Sequence, residues 1–187
     1  MEAFSDGVIA IIITIMVLEL KMPEGADWAA LRHSVPSLLT YALSFAYVAI
    51  YWNNHHHLLH ACRRVTGGVL WANMHLLFWL SLVPFTTAWM EEQGFAAVPT
   101  SVYGMLLLAC AIAYTVLQML IVRQAGPDSR LAQTIGSDLK GRASAGLYIA
   151  SIPLAFVRPV LSLTIFVVVA IIWLVPDKRI ERALEQG

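Results

Sequence analysis

Phe4-Ser5-Asp6-Gly7-Val8-Ile9-Ala10-Ile11-Ile12-Ile13-Thr14-Ile15-Met16-Val17-Leu18 places a polar triplet at the head of an apolar rod whose one later polar side chain is Thr14. A carboxylate at the edge of such a rod is costly unless it has partners or a purpose. The rest of the chain is built the same way. Of 187 residues, 59% are hydrophobic and 13% charged, and the mean hydropathy is +0.71. A soluble domain of this size could not bury that much apolar surface. The apolar residues also gather in runs near the ~20 residues that a helix needs to cross a bilayer.

The pattern predicts an all-α integral membrane protein, one domain over 1–187. Six transmembrane helices are expected at 4–20, 35–59, 69–90, 100–122, 143–157 and 159–175, with Pro and Gly at the boundaries. Between them fall a short segment at Pro23 to His33, a basic turn at Arg63 and Arg64, and a loop at Glu91 to Pro99. A polar loop, with a short helix near Arg130 to Ile135, is expected from Arg123 to Arg142, followed by a break at Arg158 and a charged tail from Asp177. The apolar start is read as a mature helix rather than a signal peptide, because Asp6 stands where a basic n-region would be and no small-residue cleavage site follows.

Nine of the twelve basic residues fall in the loops and tail on the side of the termini: Arg63, Arg64, Arg123, Arg130, Lys140, Arg142, Lys178, Arg179 and Arg182. Both termini are therefore expected in the cytoplasm. The formal net charge of zero gives no electrostatic basis for nucleic-acid binding. Cys62 and Cys110 stand far apart, which suggests neither a disulfide scaffold nor a thiolate metal site.

At about 100° per residue, Ile11, Thr14 and Leu18 fall within about 60° of one another, while Asp6 and Ser5 lie about 140° and 120° away on either side. One helix thus carries an apolar stripe and a separate polar head. Partners for the head must come from other helices. Trp52, Asn53, Asn54, His55, His56, His57 and His60 close the second span, and Trp71, Asn73 and His75 open the third, all near the same leaflet. Their indole, imidazole and amide groups can donate to a carboxylate and build a buried network that fixes helix registry. The residues alone also permit plainer roles. Ser5 and Asp6 could cap a helix, and Thr14 could bond back to the carbonyl of Ala10.

The start Met1 to Ile11, the ending Val17-Leu18-Glu19-Leu20, the stretch Trp52 to His56 and the pattern Trp71, Asn73, Pro84, Phe85, Thr87 resemble the prokaryotic members of the transmembrane protein 175 family, relatives of the lysosomal potassium channel. The resemblance implies a multi-pass cell-membrane protein of a bacterium or archaeon that assembles as a homotetramer around one central pore lined by the first helix. It implies a potassium-permeable, weakly selective leak-type cation channel without a carbonyl filter loop. Ile11 and Leu18 would form apolar rings, and Thr14 would offer hydroxyls to a partly hydrated ion. Phe4, Ser5, Asp6, Trp52, Asn54, His55, His56, Trp71 and Asn73 would form the structural network behind the pore. Family members carry an arginine four residues before the motif phenylalanine. That place falls just before Met1, so a start truncated ahead of Met1 is expected.

No cofactor is expected. His56 and His60 share a helical face at i and i+4, but no neighbouring Cys or HExxH pattern completes a zinc set, so no metal site is expected. An enzyme is not indicated, since no nucleophile completes a constellation around Asp6 and the histidines. The alternatives are a secondary transporter, for which repeats and broken helices are wanting, or a proton-conducting membrane protein, to which histidines near the inner mouth would lend pH dependence. Pro84 and Pro153 are expected to bend their helices, with Thr86 and Thr87 satisfying freed backbone groups.

Overall fold

The protein is described by a computed structural model over residues 1–62, 64–126, 129 and 138–174. The described residues form eight α-helices: α1 (Glu2–Leu18), α2 (Trp28–His33), α3 (Val35–His60), α4 (Gly67–Ser81), α5 (Val83–Glu92), α6 (Ala97–Ala125), α7 (Leu139–Val157) and α8 (Pro159–Leu174). With α2 set aside and α4 joined to α5 through Leu82, these make six rods. Three are long and apolar enough to cross a membrane by length and composition: α3, Gly67–Glu92 and α6; α8 is a shorter apolar helix.

The helix ends differ from the expected ones for local reasons. α1 starts at Glu2, whose charge suits a helix N-terminus, and stops at Leu18, four residues before Met22, which Pro23 disfavours from the α region. Ser5 and Asp6 consequently lie inside the helix and do not cap it; the N-cap is Met1. The loop expected from Glu91 to Pro99 shrinks to the four residues between Glu92 and Ala97, with Gly94 at φ 57° and Phe95 at φ 60° making the left-handed turn. α6 runs on through Arg123 to Ala125, and α7 already holds Lys140 and Arg142, because polar side chains at helix ends reach solvent without breaking the backbone ladder. The Asp138 carboxylate caps α7 by accepting from Gly141 N at 2.8 Å. The expected short helix near Arg130 and the tail from Asp177 lie outside the described residues.

Pro84 splits the third rod. Leu82 N donates to Trp79 O at 3.2 Å, and Thr86 Oγ1 donates to the carbonyls of Leu82 and Val83, each at 3.2 Å. Thr87 instead pairs with Ser44 Oγ at 2.8 Å, across to α3. Pro153 sits within a continuous α7.

Two apolar clusters share α6. One unites Ile9, Ile12 and Met16 of α1 with Val48 and Leu58 of α3, Leu76 and Leu80 of α4 and Cys110 and Leu117 of α6. The other joins Tyr47, Met90, Tyr103, Leu107, Tyr148 and Phe166. Lipid tails are as apolar as leucine, so close packing and hydrogen bonds between helices must hold such a bundle. Small residues supply the closeness. A Cβ added at Gly104 would lie 2.8 Å from Ser151 Oγ and 3.3 Å from the Phe166 ring. Hydrogen bonds supply the registry: Ser162 Oγ donates to Ser151 O at 2.6 Å and Tyr47 OH to Phe166 O at 2.6 Å.

Gly104→Leu should therefore overpack the α6–α7–α8 junction and destabilise the fold by about 1–3 kcal/mol. A lower melting midpoint of the purified chain in detergent checks this; an unchanged midpoint would contradict the packing described.

Candidate functional site: the two faces of the first helix

α1 presents one face to the bundle and another that no other described element covers. Ser5, Ile9, Ile12 and Met16, spaced four, three and four residues apart, are buried against α3, α4 and α5. The opposite stripe, Phe4, Gly7, Ile11, Thr14, Ile15 and Leu18, is exposed, with Ile11 at 60% and Leu18 at 77% of their full accessibility. The angular reading of the sequence and the burial of the side chains therefore divide the helix along the same line.

The buried face is anchored by a relay of hydrogen bonds. His55 Nε2 donates to Asn73 Oδ1 at 2.6 Å, Asn73 Nδ2 donates to Ser5 Oγ at 3.0 Å, and Ser5 Oγ donates to Met1 O at 3.2 Å. All three side chains are buried. The relay joins α3, α4 and α1 and fixes the Nε2–H tautomer of His55, since an amide oxygen only accepts. His55 Nδ1 is left without a partner among the described residues.

A second set of contacts runs along the half-exposed edge between α1 and α3. Trp52 Nε1 donates to Asp6 Oδ1 at 2.9 Å. The Trp52 ring stacks on His56 at 5.7 Å between centroids, and His56 meets His60 edge-on at 4.4 Å. Both histidines approach Glu2 Oε1, His56 Nδ1 at 3.0 Å and His60 Nε2 at 3.2 Å. Glu2 and Asp6 of α1 thus face Trp52, His56 and His60 of α3 at matched four-residue steps.

The structure brings together Ser5, His55 and Asn73, and separately Asp6, Trp52 and His56. No histidine bonds Asp6; the indole does. Asn54 turns back on its own helix, Nδ2 donating to Ile50 O at 2.8 Å. Phe4 and Trp71 are exposed and join neither set within the chain. Glu2 was missed by sequence reasoning, although its i, i+4 spacing to Asp6 repeats the spacing of Trp52, His56 and His60. Thr14 Oγ1 donates to Ala10 O at 2.9 Å. Its proton is committed to the backbone, and the side chain is exposed. At the far end of α1, Lys21 Nζ pairs with Glu92 Oε1 at 2.7 Å, a hydrogen bond that raises the Lys21 pKa above its ordinary value. Ser37 Oγ donates to Glu91 Oε1 at 2.6 Å beside it.

A bundle of apolar rods whose first helix is tethered at both ends and bare along one side defines an all-helical membrane protein. The family model described as endosomal/lysosomal potassium channel TMEM175 matches residues 1–84. A potassium channel of Chryseobacterium sp. (strain P1-3) is 51% identical over 187 residues, 100% of this chain and 97% of that protein. The crystal structure of a lysosomal potassium-selective channel TMEM175 homolog from Chamaesiphon minutus is similar with a TM-score of 0.76 at 34% identity, covering 92% of this chain and 93% of that one. The endosomal/lysosomal proton channel TMEM175 of Homo sapiens is 30% identical over 125 residues, 60% of this chain and 24% of that protein. The chain belongs to the TMEM175 family.

Asn73→Ala should leave the buried His55 Nε2–H without a partner, and Ser5 Oγ with its bond to Met1 O alone, and cost about 1–3 kcal/mol. Trp52→Phe should cost less, since Asp6 at the exposed edge can take water instead. Melting midpoints of both variants in detergent check the order; a larger drop for Trp52→Phe would place the anchor on the wrong face.

Proposed function

We propose that this chain is a potassium-permeable, weakly selective cation channel of the cell membrane, formed by four copies around a pore lined by α1. The bare stripe of α1 carries the reading: Ile11, Thr14 and Leu18 are exposed, and no other described element covers them. The named activity of the Chryseobacterium relative and of the Chamaesiphon structure agrees with it. All six rods cross the membrane in this reading, and both termini are cytoplasmic, in keeping with the nine basic residues on that side.

Conduction follows from the side chains on the stripe. Ile11 and Leu18 form two apolar rings, at which water is held weakly and a narrow pore gates by dewetting. Thr14, one turn beyond Ile11, offers oxygen lone pairs to an ion that has shed part of its hydration. Its proton is already spent on Ala10 O, so the hydroxyl meets a cation as an acceptor. A few neutral oxygens and a fixed width discriminate modestly between potassium and sodium. Proton conduction is the second reading, favoured by the name of the human relative.

Purified chain in potassium-loaded liposomes should release potassium passively, with no coupled ion and no saturation at transporter rates. Ile11→Ala should raise the flux about tenfold, because that requires a barrier only about 1.4 kcal/mol lower, less than the burial of two methylene groups at ~0.8 kcal/mol each. Thr14→Val should lower the ratio of potassium to sodium flux. Flux unchanged in Ile11→Ala would remove α1 from the pore, and a pH-sensitive dye that responds without potassium loss would favour protons.

A further inference from the structure

Glu2, His56 and His60 offer one ligand atom each, and the three atoms lie within 4.8 Å of one another. Two of the three edges of that triangle are short, 3.0 Å from Glu2 Oε1 to His56 Nδ1 and 3.2 Å from Glu2 Oε1 to His60 Nε2. A tetrahedral zinc ion with bonds near 2.0–2.1 Å sets its ligands roughly 3.3–3.4 Å apart. The carboxylate therefore already stands at about a coordination edge from both rings. His56 Nδ1 is buried and makes no aligned hydrogen bond to Glu2 despite the 3.0 Å separation. The two ligand atoms thus stand close without an aligned bond between them, a separation that a shared cation would bridge.

The surroundings suit an ion that enters from water. His60 is exposed, which leaves an approach and room for a water as fourth ligand. His56 is held between the Trp52 ring and the His60 ring, so its orientation is fixed before any ion arrives. Two imidazoles and one carboxylate favour zinc or a similar borderline transition metal over magnesium, which prefers oxygen ligands and keeps its waters. His56 and His60 come from one turn of α3 and Glu2 from the first turn of α1, so a bound ion would link the two helices.

We propose that Glu2, His56 and His60 form a binding site for a divalent transition metal ion of the zinc class, which ties the start of α1 to the end of α3. The site does not depend on whether α1 lines a pore.

Untagged, chelator-stripped chain in detergent, titrated with Zn2+ by calorimetry, tests it. One saturable Zn2+ per chain is expected, with binding weakened at least tenfold by His60→Ala and by Glu2→Gln. Glu2→Gln keeps the size of the side chain and His60 is exposed, so both variants are expected to fold, which their elution volume in detergent checks. Absence of saturable binding, binding within tenfold of the parent in both variants, or equal binding of Mg2+ would each overturn the site. Because the readout is binding, its failure would leave the channel reading untouched.

Discussion

The rotation of α1 about its own axis is set by one buried polar relay, and the character of every other surface of the helix follows from that setting. His55, Asn73 and Ser5 lie where water does not reach, and an unmade hydrogen bond there costs the desolvation of the group. The relay closes in one rotational setting: Ser5 must point between α3 and α4. Turning α1 by about one residue, 100°, would carry Ser5 away and leave Asn73 Nδ2 without its acceptor. With Ser5 fixed inward, Ile9, Ile12 and Met16 follow it at helical spacing, and Ile11, Thr14 and Leu18 have no choice but to face away.

The remaining contacts of α1 fall at its two ends. Glu2 and Asp6 engage α3 at the start, and Lys21 reaches Glu92 beyond the finish. Between these ties, among the described residues, apolar packing holds the helix. The bundle behind it is organised around α6, which shares both apolar clusters and accepts α7 and α8 closely because Gly104 lacks a side chain. Serine and tyrosine hydroxyls then lock the crossings. This division fits a medium in which apolar contact alone confers no preference between protein and lipid.

Much of this was legible in the sequence because it rests on composition and period. The runs of apolar residues placed the rods at 35–59, 69–90 and 100–122 to within a few residues of α3, α4 with α5, and α6. The separation of Ser5 from the Ile11 stripe needed only the helical angle. What periodicity does not contain is the partner. It points Asp6 away from the stripe but does not choose between the imidazoles and the indole beside it, and the choice falls to Trp52 because its longer ring reaches across from one turn earlier. Asn54 sits among donors in sequence, yet it bonds its own helix at Ile50, as amides near a helix end readily do. Glu2 escaped notice because a charged residue at a helix start is ordinary; only the fold brings it against two histidines. α6 and α7 extend past the apolar runs that mark them because a helix tolerates Arg123, Lys140 and Arg142 wherever its end is wet.

Helix length has a further consequence. The 29 residues of α6 rise about 43 Å, against a hydrocarbon slab of about 30 Å. In the channel reading α6 must therefore tilt or stand out into the headgroups. Both apolar clusters are built on this helix. A bilayer that changed thickness would then turn the element on which the rest of the bundle is packed.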